Sequence, residues 1–109
     1  MKISKELMKG STAALVLSVL KKQDLYGYKI IKEIAFRSDD VFVLKEGTLY
    51  PILHALEEEG CLESYWQESD NRKRKYYRLT RKGERRLREK KEEWQTYSKS
   101  VERVLSFAN

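Results

Sequence analysis

The stretch E46-GTLYPILHALEEE-G60 decides the fold. Leu49, Ile52, Leu53 and Leu56 recur at i, i+3, i+4 and i+7, the spacing that lines one face of an α-helix with apolar side chains. Gly60 stands where a helix C-terminal cap is expected. The opposite face carries Thr48, Tyr50, Pro51, His54 and Glu58, with Lys45 just before it. Pro51 is the chain's only proline. It lacks an N–H and is tolerated where that group has no intrahelical partner, so the helix is expected to start at about Thr48, whose hydroxyl can cap the first turn.

Two helices are expected upstream. The apolar run Leu7 to Leu20 reads as one broadly buried helix, closed by Lys21 and Lys22. QDLYGYKIIKEIAFRSDD follows, with Ile30, Ile31 and Ile34 on one stripe while Lys29, Lys32, Glu33 and Arg37 face water. VFVL, residues 41–44, suits either a short strand or an extended linker. Downstream, CLESYWQES and RKRKYYRLT both alternate around Asp70 and Asn71, which predicts a β-hairpin with those two residues at its tip. Thr80 suits an N-cap, and from Arg81 to about Phe107 the helical pattern is interrupted only by Gly83 in the first turn. That last helix would be roughly 40 Å long at ~1.5 Å per residue.

The fold class expected is mainly α with a small β-hairpin: a winged helix-turn-helix followed by a long C-terminal helix. Residues 1–80 would form the DNA-binding domain. Residues 81–109 would form a dimerisation helix packed on the first helix as one compact unit.

Composition narrows the partners. The 109 residues suit one domain, 37% of them are charged, and the net charge is +6. Twelve Lys and Arg lie between Arg72 and Lys91 against Glu84 and Glu89, so the rest of the chain is net negative by four. A concentrated basic patch favours a polyanion such as double-stranded DNA. Cys61 is the only cysteine, which rules out an intrachain disulfide and fits a reducing cytoplasm. No run of eighteen apolar residues is present, and MKISKELMKG has no signal-peptide core, so a cytoplasmic protein is expected.

In a winged helix-turn-helix the third helix enters the major groove and the hairpin touches the flanking backbone. Thr48 and Tyr50 can donate to phosphates, His54 can meet a base edge, and Pro51 removes bulk and a backbone donor near the DNA. Those residues equally suit an ordinary solvated face. Arg72, Lys73, Arg74 and Lys75 form a basic row beside Tyr76 and Tyr77, and directly after a candidate recognition helix such a row suits phosphate contacts, as does Lys45. Catalysis has little support. His54 is the only histidine, no residues have metal-ligand spacing, and neither a phosphate loop nor a nucleophile elbow occurs, so no enzyme, metal or cofactor is expected.

The last helix carries Leu87, Trp94 and Val101 at seven-residue intervals, with Tyr97 and Val104 three residues after the second and third. So long a stripe cannot be covered by a small core and predicts a coiled-coil-like contact in a homodimer, with Lys90 and Lys91 interrupting its first half.

KELMKGSTAALVLSVL, YGYKI, GTLYPILHALEEEGCL and RKYYRLTRKG together resemble the PadR-like transcriptional regulators, over nearly the whole chain. The single helix after the wing is similar to the smaller, LmrR-like subfamily. That resemblance implies a winged-helix repressor that binds a pseudo-palindromic promoter site as a homodimer. It further implies a flat aromatic effector held between paired tryptophans at the dimer interface. Trp94 matches that tryptophan, and its implied neighbours are Met8, Ser11, Ala14, Leu87, Ser98 and Val101. Lys90 and Lys91 stand where the subfamily has small or aromatic residues, and Lys45 and Glu46 replace its usual helix start. The alternative function is a winged-helix protein-interaction module with no specific DNA target.

Overall fold

The computed structural model describes residues 2–107, so Met1, Ala108 and Asn109, at the ends of the two expected units, lie outside the described residues. Its elements run α1 (Lys5–Lys9), α2 (Thr12–Val19), β1 (Leu25–Tyr26), α3 (Gly27–Arg37), α4 (Glu46–Glu58), β2 (Leu62–Ser69), β3 (Arg72–Leu79) and α5 (Arg81–Ser106). The three strands form one antiparallel sheet in the order β1-β3-β2. This is the architecture of a winged helix: α2, α3 and α4 pack together, β2 and β3 make the wing, and α5 leaves from the wing's base.

The expected first helix is two. Gly10 and Ser11 break it, because Ser11 N–H and Oγ, both at 3.1 Å, and Thr12 Oγ1, at 2.8 Å, all donate to the Met8 carbonyl. These hydroxyls occupy an acceptor that a continuous helix would reserve for backbone. Residues 41–44 form no strand; Leu44 is buried as part of an extended linker. The third strand is instead Leu25–Tyr26, which pairs with Tyr77 and Tyr76.

The core is assembled from the apolar stripes. Val16, Leu17 and Leu20 from the α2 region, Ile30 and Ile34 from α3, and Leu49, Leu53 and Leu56 from α4 are buried around Leu62, Tyr77 and Leu87. Cys61 is fully buried among them, as packing.

Helix α4 begins two residues earlier than expected. Lys45 is its N-cap in extended conformation, and its carbonyl accepts from Thr48 N–H at 3.0 Å and Leu49 N–H at 2.9 Å. Thr48 is therefore inside the first turn rather than at the cap. Pro51 consequently sits in the second turn, where it cannot donate to the Gly47 carbonyl. The surface there is exposed, so water can meet that carbonyl and the loss is small. At the other end Gly60, at φ 79°, closes a Schellman cap: Cys61 N–H donates to Leu56 O at 2.8 Å and Gly60 N–H to Glu57 O at 3.0 Å.

The hairpin tip is as expected. Asp70 and Asn71 have φ of 52° and 63°, the left-handed pair of a type I′ turn, and Ser69 faces Arg72 across it. Thr80 caps α5 as expected: its Oγ1 accepts from Gly83 N–H at 3.0 Å and donates to Gly60 O at 2.7 Å. Arg86 adds a 2.8 Å bond to Glu59, which raises the pKa of its guanidinium above the ordinary value. The base of the wing, the end of α4 and the start of α5 are thus one joint.

Candidate nucleic-acid interface

The register of the hairpin assigns every wing side chain to one of two faces. Leu62 and Ser64 continue on the same face into Trp66 and Glu68, paired with Leu79, Tyr77, Lys75 and Lys73 in that order. This face turns toward α4, since Tyr77 is buried in the core. The other face carries Tyr65, Tyr76 and Tyr26 side by side, flanked by Arg74 and Arg78.

The outer face of α4 is open. Lys45, Thr48, Tyr50, Pro51 and His54 are all exposed. Tyr50 and His54 lie one turn apart with ring centroids at 6.3 Å, and Tyr50 lies directly on Gly27 at the start of α3. A methyl group at position 27 would overlap the phenol, so glycine is what lets Tyr50 lie there.

The wing cations divide into two kinds. Arg72 and Lys73, at the tip, are exposed and make no ion pair among the described residues. Arg74 and Lys75 are half-buried and already engaged. The Arg74 guanidinium lies 4.3 Å from the centroid of Tyr26, and Lys75 Nζ lies 3.9 Å from Glu57 of α4. Tyr76 is held between Tyr26 at 5.4 Å and Tyr65 at 5.7 Å. The basic row is therefore two free charges at the tip followed by an aromatic and cationic brace.

Two contacts tie the wing to the helices. Ser64 Oγ donates to Glu57 of α4, and Tyr65 O–H donates to Asp24 Oδ2 at 2.6 Å. The bond to Asp24, with desolvation and the aspartate charge adding, raises the pKa of Tyr65 above the ordinary 10.0. Burial likewise raises that of Tyr77.

Between α4 and the wing lies a cleft of about 360 Å³. Tyr50 and His54 form one wall, Trp66 and Lys75 the other, and the first residues of α3, Gly27 and Tyr28, the end. Trp66 and Tyr28 lie outside the site that the sequence pattern predicts. Counting outward from the Asp70-Asn71 turn places Trp66 opposite Lys75, so the signal was present in the alternation.

The residues expected at a dimer or effector surface scatter more. Trp94 is 52% exposed, with Tyr97 beside it at 6.0 Å between centroids, and Val101 and Val104 continue the exposed stripe. Met8, Ser11, Ala14 and Ser98 are half-buried. Leu87, at 3% exposure, already lies in the core of its own chain and has no free face for a partner. Leu7 on α1, and Leu105 and Phe107 at the end of α5, are further exposed apolar side chains. Among the described residues no helix is long and apolar enough to cross a membrane, and no three His, Cys, Asp or Glu side chains cluster as metal ligands.

The sequence matches the transcriptional regulator PadR-like family over residues 16–89, a span that contains α3, α4 and the wing. The chain belongs to this family. A transcriptional regulator from Clostridium thermocellum has a solved structure that is 35% identical, covers 91% of this chain and 97% of that one, and superposes with a TM-score of 0.85. A PadR family transcriptional regulator from Eggerthella lenta is 37% identical over 92% of this chain and 86% of that one, with a TM-score of 0.81. An uncharacterised protein of Lysinibacillus sphaericus is 37% identical across 84% of this chain and 85% of its own length. The family is one of transcriptional regulators rather than enzymes, and this PadR-like chain has their winged-helix fold.

Proposed function

We propose that this PadR-like protein is a sequence-specific repressor that binds a pseudo-palindromic promoter site as a homodimer in the cytoplasm. The observation that carries the proposal is the open outer face of α4 together with two cations at the wing tip that make no ion pair among the described residues. Thr48, Tyr50, Pro51 and His54 face the major groove, where Tyr50 and Thr48 donate to phosphates and His54 meets a base edge. Lys45 at the helix start, with Arg72 and Lys73, holds flanking phosphates. Arg74, Lys75 and Tyr76 shape the wing and supply charge from behind it.

Residues 1–80 form the DNA-binding unit and 81–109 the dimerisation helix. The exposed stripe of α5 supports this division, because Trp94, Tyr97, Val101 and Val104 leave a broad apolar surface in water unless a second chain covers it. A two-fold dimer would set two α4 helices in successive major grooves roughly 34 Å apart. Bound at a promoter, the dimer occludes it. A flat aromatic effector lying against Trp94 and its partner copy, near Met8, Ser11, Ala14, Ser98 and Val101, would release it by altering the angle between subunits.

A footprint on the promoter of its own gene tests the repressor proposal, with random duplex of equal length as competitor. Protection of two half-sites one helical turn apart is expected. Equal affinity for both duplexes refutes sequence-specific binding and leaves a winged-helix interaction module. The effector is tested by titrating planar aromatic compounds against tryptophan emission, where Trp94→Ala should remove most of the quenching.

A further inference from the structure

The inner face of the wing holds a large side chain that the core does not use. Trp66 is 66% exposed and pairs with Lys75 across the hairpin. One pair inward on the same face stand Ser64 and Tyr77, and one further Leu62 and Leu79. Tyr77 and Leu62 are buried, so the hydrophobic core ends just before Trp66 and the indole projects beyond it. It projects into the cleft whose opposite wall is Tyr50 and His54.

That cleft has a particular chemistry. Besides Trp66 it is lined by Tyr28, Tyr50 and Tyr77 with Lys75 beside them, while Arg74 at its margin turns its guanidinium to Tyr26 on the other face of the wing, and no carboxylate belongs to its lining. Aromatic faces beside a cation suit the backbone of a nucleic-acid strand, because deoxyribose packs on the rings while the cation answers a phosphate. A peptide would find few acceptors there. An indole of this size left in water also forgoes a large area of burial that a covering partner would recover.

We propose that Trp66 is a DNA-contacting residue, packing its indole against the deoxyribose of the backbone strand that enters the cleft between wing and α4. This rests on the DNA-binding function proposed above and adds to it a contact that is apolar rather than ionic. Lys75, held at the back of the cleft by Glu57, then supplies charge to the adjoining phosphate.

The test uses the full-length protein and a labelled duplex carrying the promoter of its own gene. Trp66→Ala should weaken binding by roughly ten-fold, the range of one lost apolar contact of this size, and Trp66→Phe should recover most of it. The slope of log affinity against log salt should stay at the wild-type value, since no counterion-releasing charge is lost. In protein labelled with 5-fluorotryptophan, the ¹⁹F resonance that Trp66→Phe removes should shift or broaden when the duplex is added. Wild-type affinity in Trp66→Ala with an unmoved resonance overturns the contact while leaving the regulator intact. A fall in salt slope as large as that of Lys73→Ala overturns it too, because the indole would then act only by placing charges. If the wild-type protein does not prefer its own promoter to random duplex, the contact and the function fall together.

Discussion

Replacing Arg72 and Lys73 together by alanine asks whether the wing tip touches phosphate. Both side chains are exposed and free of ion pairs among the described residues, so their removal disturbs little in the fold. Each phosphate contact contributes about 0.9 to the slope of log affinity against log salt, so two lost contacts lower it by about 1.8. Between about 50 and 200 mM salt the wild-type protein should therefore lose roughly twelve-fold more affinity than the variant. The two should differ most at low salt and converge as salt rises. Anisotropy of a labelled promoter duplex at several salt concentrations measures both slopes. Lys99→Ala with Arg103→Ala is the control, since it removes the same charge from the exposed distal part of α5. Equal loss of slope in both double variants would refute wing contact and attribute the binding to net charge.

Other outcomes follow from packing. Gly83→Ala should destabilise the fold by about 1–3 kcal/mol, because a methyl group there overlaps the Cys61 carbonyl oxygen and presses on Leu79, outweighing the gain in helix propensity. Gly47→Ala meets nothing within 4 Å and should be neutral or stabilise by up to about 1 kcal/mol, so denaturant midpoints of the two should move in opposite directions or differ clearly. Tyr65→Phe removes the bond to Asp24 and should cost about 1 kcal/mol near neutral pH. The raised pKa of Tyr65 means that this contribution is complete below the ordinary phenol value of 10.0 and is lost as pH climbs through the higher folded value. Wild type and Tyr65→Phe should thus converge in alkaline melts. Trp94→Arg should leave the circular dichroism of the chain intact, since Trp94 is 52% exposed, but yield monomers in sedimentation velocity.

The parts legible in the sequence were those governed by local spacing. The stripe Leu49, Ile52, Leu53, Leu56 named the buried face of α4, and the Asp70-Asn71 turn set the register of eight cross-strand pairs. What escaped were features decided by distant partners or competing acceptors. Leu25–Tyr26 became a strand only because β3 offered an unpaired edge at Tyr76 and Tyr77. The first helix broke because two hydroxyls outbid the backbone for the Met8 carbonyl. Helix α4 starts two residues ahead of the position Pro51 suggests, because on an exposed helix surface water can satisfy the Gly47 carbonyl. In the candidate site, the run of four cations gave no hint that two would be engaged, one by Tyr26 and one by Glu57. Leu87 matched the seven-residue repeat yet belongs to the core, since a heptad cannot say which of its members the chain's own fold covers.

The joint at Thr80 links these observations to regulation. β3 ends at Leu79 and α5 starts at Arg81, so the wing and α5 are separated by one residue. That residue is clamped: Thr80 N–H donates to Cys61 O at 3.1 Å, its hydroxyl donates to Gly60 O, and Gly83 rests on the same Cys61 carbonyl. With Arg86 bonded to Glu59, the joint cannot bend without breaking several contacts at once. A tilt of α5 must therefore carry the wing and α4 with it. Trp94 lies thirteen residues along the helix from Arg81, about 20 Å at ~1.5 Å per residue. A tilt of about 10° around Trp94 would move the wing base by roughly 3 Å, more than a direct hydrogen bond to a phosphate tolerates. In the proposed symmetric dimer the displacements would add, which would change the separation of the two α4 helices while each domain stayed internally unaltered. In the proposed dimer, a small molecule at the interface would need no path through the core to release DNA; a rigid joint at one end of α5 and a contact that the ligand alters near its middle would be enough.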